Sequence, residues 1–264
     1  MRMRMKILLP IALCLAASVA LAAENGLIGA PERPGMVYVP AGDFPMGSSA
    51  DDAVVFDFEK PREQPQRRVW VDAFFIDRFE VTNEQYAKHD PKHVPDHRSA
   101  CANCPVTEVT WQEASDFCAA QTPPKRLPTE AEWEKAAKGG SEKRLEPVED
   151  YAWYLHNAGG QTHPVGQKKP NGYGLYDVLG NAREWTADWY DPEYYKRTPA
   201  GSRNPKGPAT GKRKVERGGT FFMFRRSVSE TIRYNHPPHF RLYFLGFRCA
   251  ADVARNAGTT GSRS

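Results

Sequence analysis

Between residues 89 and 104 the chain reads HDPKHVPDHRSACANC. His89, His93 and His97 are followed there by Cys101 and Cys104 in CxxC spacing. Imidazole nitrogen and thiolate sulfur are the ligands that copper and zinc prefer. Histidines four apart suggest one helix face, but Pro91 and Pro95 forbid a helix through this stretch. The plainer reading is a solvated loop whose CxxC closes as a disulfide. His236 and His239, in YNHPPHF, form a second pair open to the same two readings.

Two further stretches carry chemistry. DVLGNAREW places the carboxylates of Asp177 and Glu184 on either side of a glycine-bearing loop. Hard oxygen ligands on a short loop suit Ca²⁺; the plainer alternative is a glycine turn with surface acids. Residues 221–244, FFMFRRSVSETIRYNHPPHFRLYF, interleave aromatic rings with arginines. Such a segment either packs a core or presents a surface for flat or anionic ligands, by stacking and bidentate hydrogen bonding.

The elements that must position these groups begin after an expected export signal. Arg2, Arg4 and Lys6 precede an apolar run from Ile7 to Val19, and Ala20-Leu21-Ala22 supplies a cleavage site. The domain boundaries expected from this are 1–22 as signal peptide, 23–34 as lead-in, 35–252 as one domain and 253–264 as a flexible tail. Export implies a periplasmic or secreted protein with no membrane anchor after cleavage.

The 264-residue chain has a formal charge of +4. Loss of the signal leaves 33 cations against 32 anions, which excludes the basic excess of a nucleic-acid-binding protein. The charge is uneven, however. Residues 23–195 carry 18 cations and 29 anions, whereas residues 196–255 carry 14 and 3. An acidic half folding against a basic half is one explanation; an Arg-rich pocket for an anion is the other.

An exported chain with four cysteines after its signal, Cys101, Cys104, Cys118 and Cys249, should hold two disulfides. Three connectivities are possible, and adjacency makes Cys101–Cys104 with Cys118–Cys249 the most economical. Segments 36–39 and 69–76 read as strands. Thr82…Gln85, Thr110…Glu113 and Thr129…Glu132 are capping boxes, the last opening a helix over about 130–138. The second box opens a helix with Trp111, Ala114, Phe117 and Cys118 on one face, which turns Cys118 inward. With 21 Gly and 22 Pro spread throughout, the fold class is α+β and rich in irregular loops.

Seven stretches, in order, resemble the formylglycine-generating enzyme (sulfatase-modifying factor) family. They are MVYVPAGDFPMGS (36–48), DAFFIDRFEVTNEQY (72–86), PVTEVTWQEASDFC (105–118), RLPTEAEWEKAA (126–137), NGYGLYDVLGNAREW (171–185), RGGT (217–220) and LGFRCAAD (245–252). The resemblance implies an extended C-type-lectin-like fold over roughly 35–252. It also implies a calcium site made by Asp177 and Glu184 with the carbonyls of Gly180 and Ala182, a weaker second calcium site at Asn157, and a bridge between Cys118 and Cys249.

The enzyme's chemistry is another matter. The family's copper-binding cysteines fall at about Met223 and Val228, and the tryptophan of its GN-x-W-E-W motif is Arg183. Neither residue can form the thiolate that copper(I) thiol oxidation requires. Only the hydroxyl at Thr220 persists. Formylglycine formation is therefore not expected, even through displaced cysteines at Cys101 and Cys104. The expected site is a remodelled pocket bordered by Arg183, Thr220, Met223, Arg225, Arg226 and Val228. It would bind an anionic small ligand or an exported protein partner, or assist maturation of a periplasmic enzyme. The alternative is a copper- or iron-dependent oxidoreductase of the same family with different chemistry.

Overall fold

Each of the three Thr-capped helices starts as its box dictates. Thr82, Thr110 and Thr129 lie in extended backbone and accept from the amide three residues on, while Gln85, Glu113 and Glu132 return a bond to the cap amide. These bonds satisfy donors that a helix start otherwise leaves orphaned. The third helix ends at Gly139, whose φ of 62° closes it in the left-handed conformation.

The structure is a computed structural model and describes residues 32–49 and 60–253. The expected signal, most of the lead-in and all but the first residue of the expected tail lie outside those residues. The strands are β1 (Met36–Val39), β2 (Gly42–Met46), β3 (Arg67–Val71), β4 (Phe74–Asp77), β5 (Ala152–Trp153), β6 (Leu179–Gly180), β7 (Arg183–Trp189), β8 (Lys214–Arg217), β9 (Arg233–His236), β10 (Leu245–Gly246) and β11 (Ala250–Asp252). The helices are α1 (Lys60–Glu63), α2 (Asn83–Ala87), α3 (Trp111–Ala119), α4 (Glu130–Lys138), α5 (Val148–Tyr151) and α6 (Tyr194–Arg197).

The strands form a three-stranded sheet β1-β4-β11, a four-stranded sheet β10-β7-β8-β9, the hairpin β2-β3 and the pair β5-β6. Short helices and strands mixed in this way are the expected α+β class. The single strand expected over 69–76 is instead two, β3 and β4, which join different sheets. The break has a polar cause. Asp72 takes bonds from Trp70 Nε1 and Asn204 Nδ2, both at 2.9 Å, and its amide donates to Asn204 Oδ1. A residue pinned in this way leaves the ladder.

Trp133 of α4 packs with Phe74, Ile76, Leu175, Val178 and Val228 in the larger core. Tyr86, Phe117, Trp185 and Phe247 form a second core around Cys118 and Cys249. Each large apolar side chain so buried contributes about 1.5–3 kcal/mol. Cys118 and Cys249 are bridged, and both are fully buried; Cys101 and Cys104 are bridged as well.

The uneven charge is mostly absorbed internally. Arg203, Arg217, Arg225, Arg233, Arg241 and Arg248 pair with Asp72, Glu134, Glu146, Glu130, Glu113 and Glu184 in turn. The basic segment thus folds against the acidic one.

Candidate functional site

The four-stranded sheet sorts its side chains by strand alternation. Glu184, Arg217 and Arg233 lie opposite one another across β7, β8 and β9 and share the face toward α4. There Arg217 meets Glu134 and three backbone carbonyls, and Arg233 grips both oxygens of Glu130. Trp185, Glu216 and Tyr234 share the other face, with Lys214 and His236 two residues along.

Arg183 belongs to that second face, and it is only 4% exposed. Its Nη1 donates to Glu216 at 3.2 Å, its Nη2 to Met223 Sδ at 3.4 Å, and its guanidinium stacks 3.5 Å from the Tyr234 ring centre. Glu216 in turn bonds His236 Nδ1 at 2.7 Å. A buried guanidinium needs such partners, because an unpaired one would not survive desolvation. Arg183 is therefore a framework cation and not a free one.

The segment after the double glycine is folded tightly. A Cβ at Gly219 would sit 2.5 Å from Val228 Cγ1, so only glycine admits Val228 into the core. Val228 and Thr220 are both fully buried, and Thr220 Oγ1 has no partner among the described residues. Arg225 reaches the surface carboxylate of Glu146 at 2.8 Å. Arg226 is exposed. The expected pocket bordered by Arg183, Thr220, Met223, Arg225, Arg226 and Val228 is thus not assembled. Two members are in the core, Arg183 is neutralised by Glu216, and Arg225 is paired with Glu146. Besides Arg225 and Arg226, this region presents aromatic rings: Phe224 is 61% exposed, and Phe222, Tyr243 and Phe244 pack ring against ring beside Arg98.

A family model described as a sulfatase-modifying factor enzyme 1-like domain matches residues 25–253. The chain belongs to the sulfatase-modifying factor family. The formylglycine-generating enzyme of Mus musculus is 33% identical over 291 residues, covering 82% of this chain and 75% of that protein. The inactive C-alpha-formylglycine-generating enzyme 2 of Mus musculus is 28% identical, covering 86% of this chain and 89% of that protein. Among solved structures, PvdO from Pseudomonas aeruginosa superposes with a TM-score of 0.71 at 25% identity, covering 84% of this chain and all of that one. The residues expected at the family's copper positions do not fit the metal. Val228 offers no ligand, and the Met223 thioether already accepts from Arg183.

The loop expected to hold calcium is differently built from its sequence. Glu184 presents both oxygens to Arg248 at 2.7 Å and takes Trp133 Nε1 at 2.7 Å. As a calcium ligand it is therefore already engaged. Gly180 has φ 86°, and a Cβ there would stand 2.1 Å from the Trp153 carbonyl. Ala182 is buried, and its amide donates to Glu80, a carboxylate that motif reading did not single out. Burial first, then the charges of Asp177 and Glu184, push Glu80 well above the usual carboxylate range. Burial likewise raises Asp177 to about 6. Asp177 Oδ2 accepts from the Gly166 amide, while Oδ1 is buried without a partner among the described residues. Glu80, Asp177 and Glu184 thus surround the buried cation Arg248, with Glu80 held towards its neutral form and Asp177 Oδ1 left without a hydrogen bond among the described residues. Asn157 is engaged elsewhere: it closes its own turn, accepting from the Tyr154 amide and donating to the Ala152 carbonyl.

The histidine-rich loop does not assemble a metal centre. No group of three His, Cys, Asp or Glu side chains is placed to hold an ion among the described residues. Cys101 and Cys104 are joined to each other, His89 and His93 pack on Tyr86, and His97 lies 82% exposed beside Asp96. Glu216, Tyr234, Glu80 and Arg248 are the site residues that motif reading missed. Their partners are distant in sequence, Asn181 lying 101 residues from Glu80, so no local pattern marks them.

Proposed function

We propose that this chain is an exported sulfatase-modifying-factor-like protein that has given up copper-dependent thiol oxidation. Its remodelled face serves binding, of a ligand or of an exported protein whose maturation it assists. The observation that carries this is Arg183: where the family motif has tryptophan, a buried arginine ties Glu216 to Met223, the residue at a copper-ligand position. An aromatic and arginine surface without a thiolate is suited to recognition rather than oxidation. The two disulfides support an oxidising compartment. The relative named as an inactive formylglycine-generating enzyme makes loss of the activity a precedented state within the family.

Calcium is proposed as a structural ion at the Asp177 loop. Asp177 Oδ1 is the side-chain oxygen left without a donor there, and the carbonyls of Gly180 and Ala182 would complete the set. The binding reading is tested by copper(I) competition against a colorimetric chelator. The chelator should retain all the copper. Stoichiometric copper held by the protein, and lost in Met223→Leu, would overturn the reading.

A further inference from the structure

Of the cations between residues 196 and 253, most are paired with a carboxylate. Lys206, Lys212, Arg213, Lys214 and Arg226 have no such partner among the described residues. Lys214 is buried between the rings of Trp111 and Trp189 and donates to the Ala187 carbonyl. Lys212 and Arg213 are exposed, and both line one groove of about 700 Å³ together with Arg62, Tyr190, Pro192, Tyr234, Asn235 and His236. No carboxylate lines it among the described residues.

His236 is held in that lining from two sides. Its Nδ1 is held at 2.7 Å by Glu216, which is fully buried and itself fixed by Arg183. The ring stacks on Phe240 with 28° between planes. Nε2 lies on the opposite side of the imidazole and makes no hydrogen bond among the described residues. Arg213 is steadied by two contacts to Asn235, at 3.2 and 3.5 Å through Nη1, and its Nη2 and Nε make no hydrogen bond among the described residues. The groove therefore offers two guanidinium forks, an ammonium and an oriented imidazole, between tyrosine walls.

We propose that this groove binds a tetrahedral oxyanion ester, a phosphate or a sulfate, through Arg62, Lys212 and Arg213, with His236 held in place by Glu216. A single arginine fork saturates the two oxygens of a carboxylate, whereas three cations and an imidazole match an anion with three terminal oxygens. The rings of Tyr190 and Tyr234 provide apolar surface for the esterified group. Neither Met223 nor copper chemistry enters, so failure of this inference leaves the proposed function standing, and the converse holds too.

The test is titration of the mature, oxidised chain with phenyl phosphate, phenyl sulfate and benzoate, read by calorimetry and by the ring resonances of His236. At least one of the two esters should saturate and shift those resonances, and benzoate should bind at least about tenfold more weakly. The stronger ester identifies the oxyanion. Lys212→Gln with Arg213→Gln should weaken the ester by at least about tenfold while the melting temperature holds, since both side chains are exposed. Arg226→Gln, which removes an exposed cation outside the groove, should change nothing. No saturation by either ester at millimolar concentration, benzoate binding equally well, or equal loss in Arg226→Gln would each overturn the proposal.

Discussion

Removing Arg183 should damage the fold, because its guanidinium fixes the buried Glu216. The Arg183 and Glu216 side chains are 5% and 0% exposed, so solvent screens their ion pair little. Truncating one partner of such a pair leaves the other charge buried and costs about 3–5 kcal/mol. Glu216 keeps His236 as a second partner, which places Arg183→Ala at the lower end, about 3 kcal/mol. Loss of the stack on Tyr234 adds to that. Glu216→Ala should cost at least as much, because it strands Arg183. The double variant should cost less than the sum of the two, with a coupling of roughly 2 kcal/mol. Urea unfolding with the disulfides intact measures all three, and an unchanged slope confirms that midpoints report stability. A cost below about 1 kcal/mol for Arg183→Ala would show an arginine free in solvent, contrary to the geometry.

Other consequences follow from the same packing. Replacing Cys118 and Cys249 by alanine opens a loop with a sequence separation of 131 residues. Chain entropy then sets an upper guide of about 5 kcal/mol, and non-reducing peptide mapping should show the pair bridged beforehand. Chelation should lower the melting temperature of the wild type and leave Asp177→Asn unaffected; no response in the wild type would remove calcium from the Asp177 loop. Burial raises Asp188 from 3.8 to about 8. A carboxyl raised in the folded state binds a proton that the unfolded chain has released, so its stabilisation is complete below about pH 4 and is lost as pH rises through about 8. Unfolding free energy should therefore fall across that window by at most about 1.4 kcal/mol per pH unit from this group, and Asp188→Asn should flatten the fall.

What could be read from the sequence follows a physical division. The helix starts were legible because a capping box is complete within four residues, as at Thr129 and Glu132. The buried face of α3 was legible because Ala114, Phe117 and Cys118 repeat with the helical period. The break at Asp72 was not, because its cause is Asn204, 132 residues away. Arg183 was recognised as a departure from the family pattern, but its neutralisation by Glu216 depends on strand register. Only the pairing of β7 with β8 sets those two side chains on one face. The same holds for Glu184, whose carboxylate looked available until Arg248 came to it from 64 residues further along. Val228 read as a pocket residue because alignment with copper-binding cysteines carries no information about burial; the glycine at 219 is what lets it sink into the core.

We propose that this member of the family does not oxidise thiols. A mass-spectrometric assay of a cysteine-containing sulfatase-type peptide, with copper and oxygen supplied, tests it most directly. The peptide should be recovered with its cysteine intact at every time point. The positions expected to carry the family's thiolates hold Met223, engaged by Arg183, and Val228, buried without a ligand atom. Multiple turnovers to the aldehyde, persisting in Met223→Leu, would contradict the claim and require a catalytic site elsewhere in the chain.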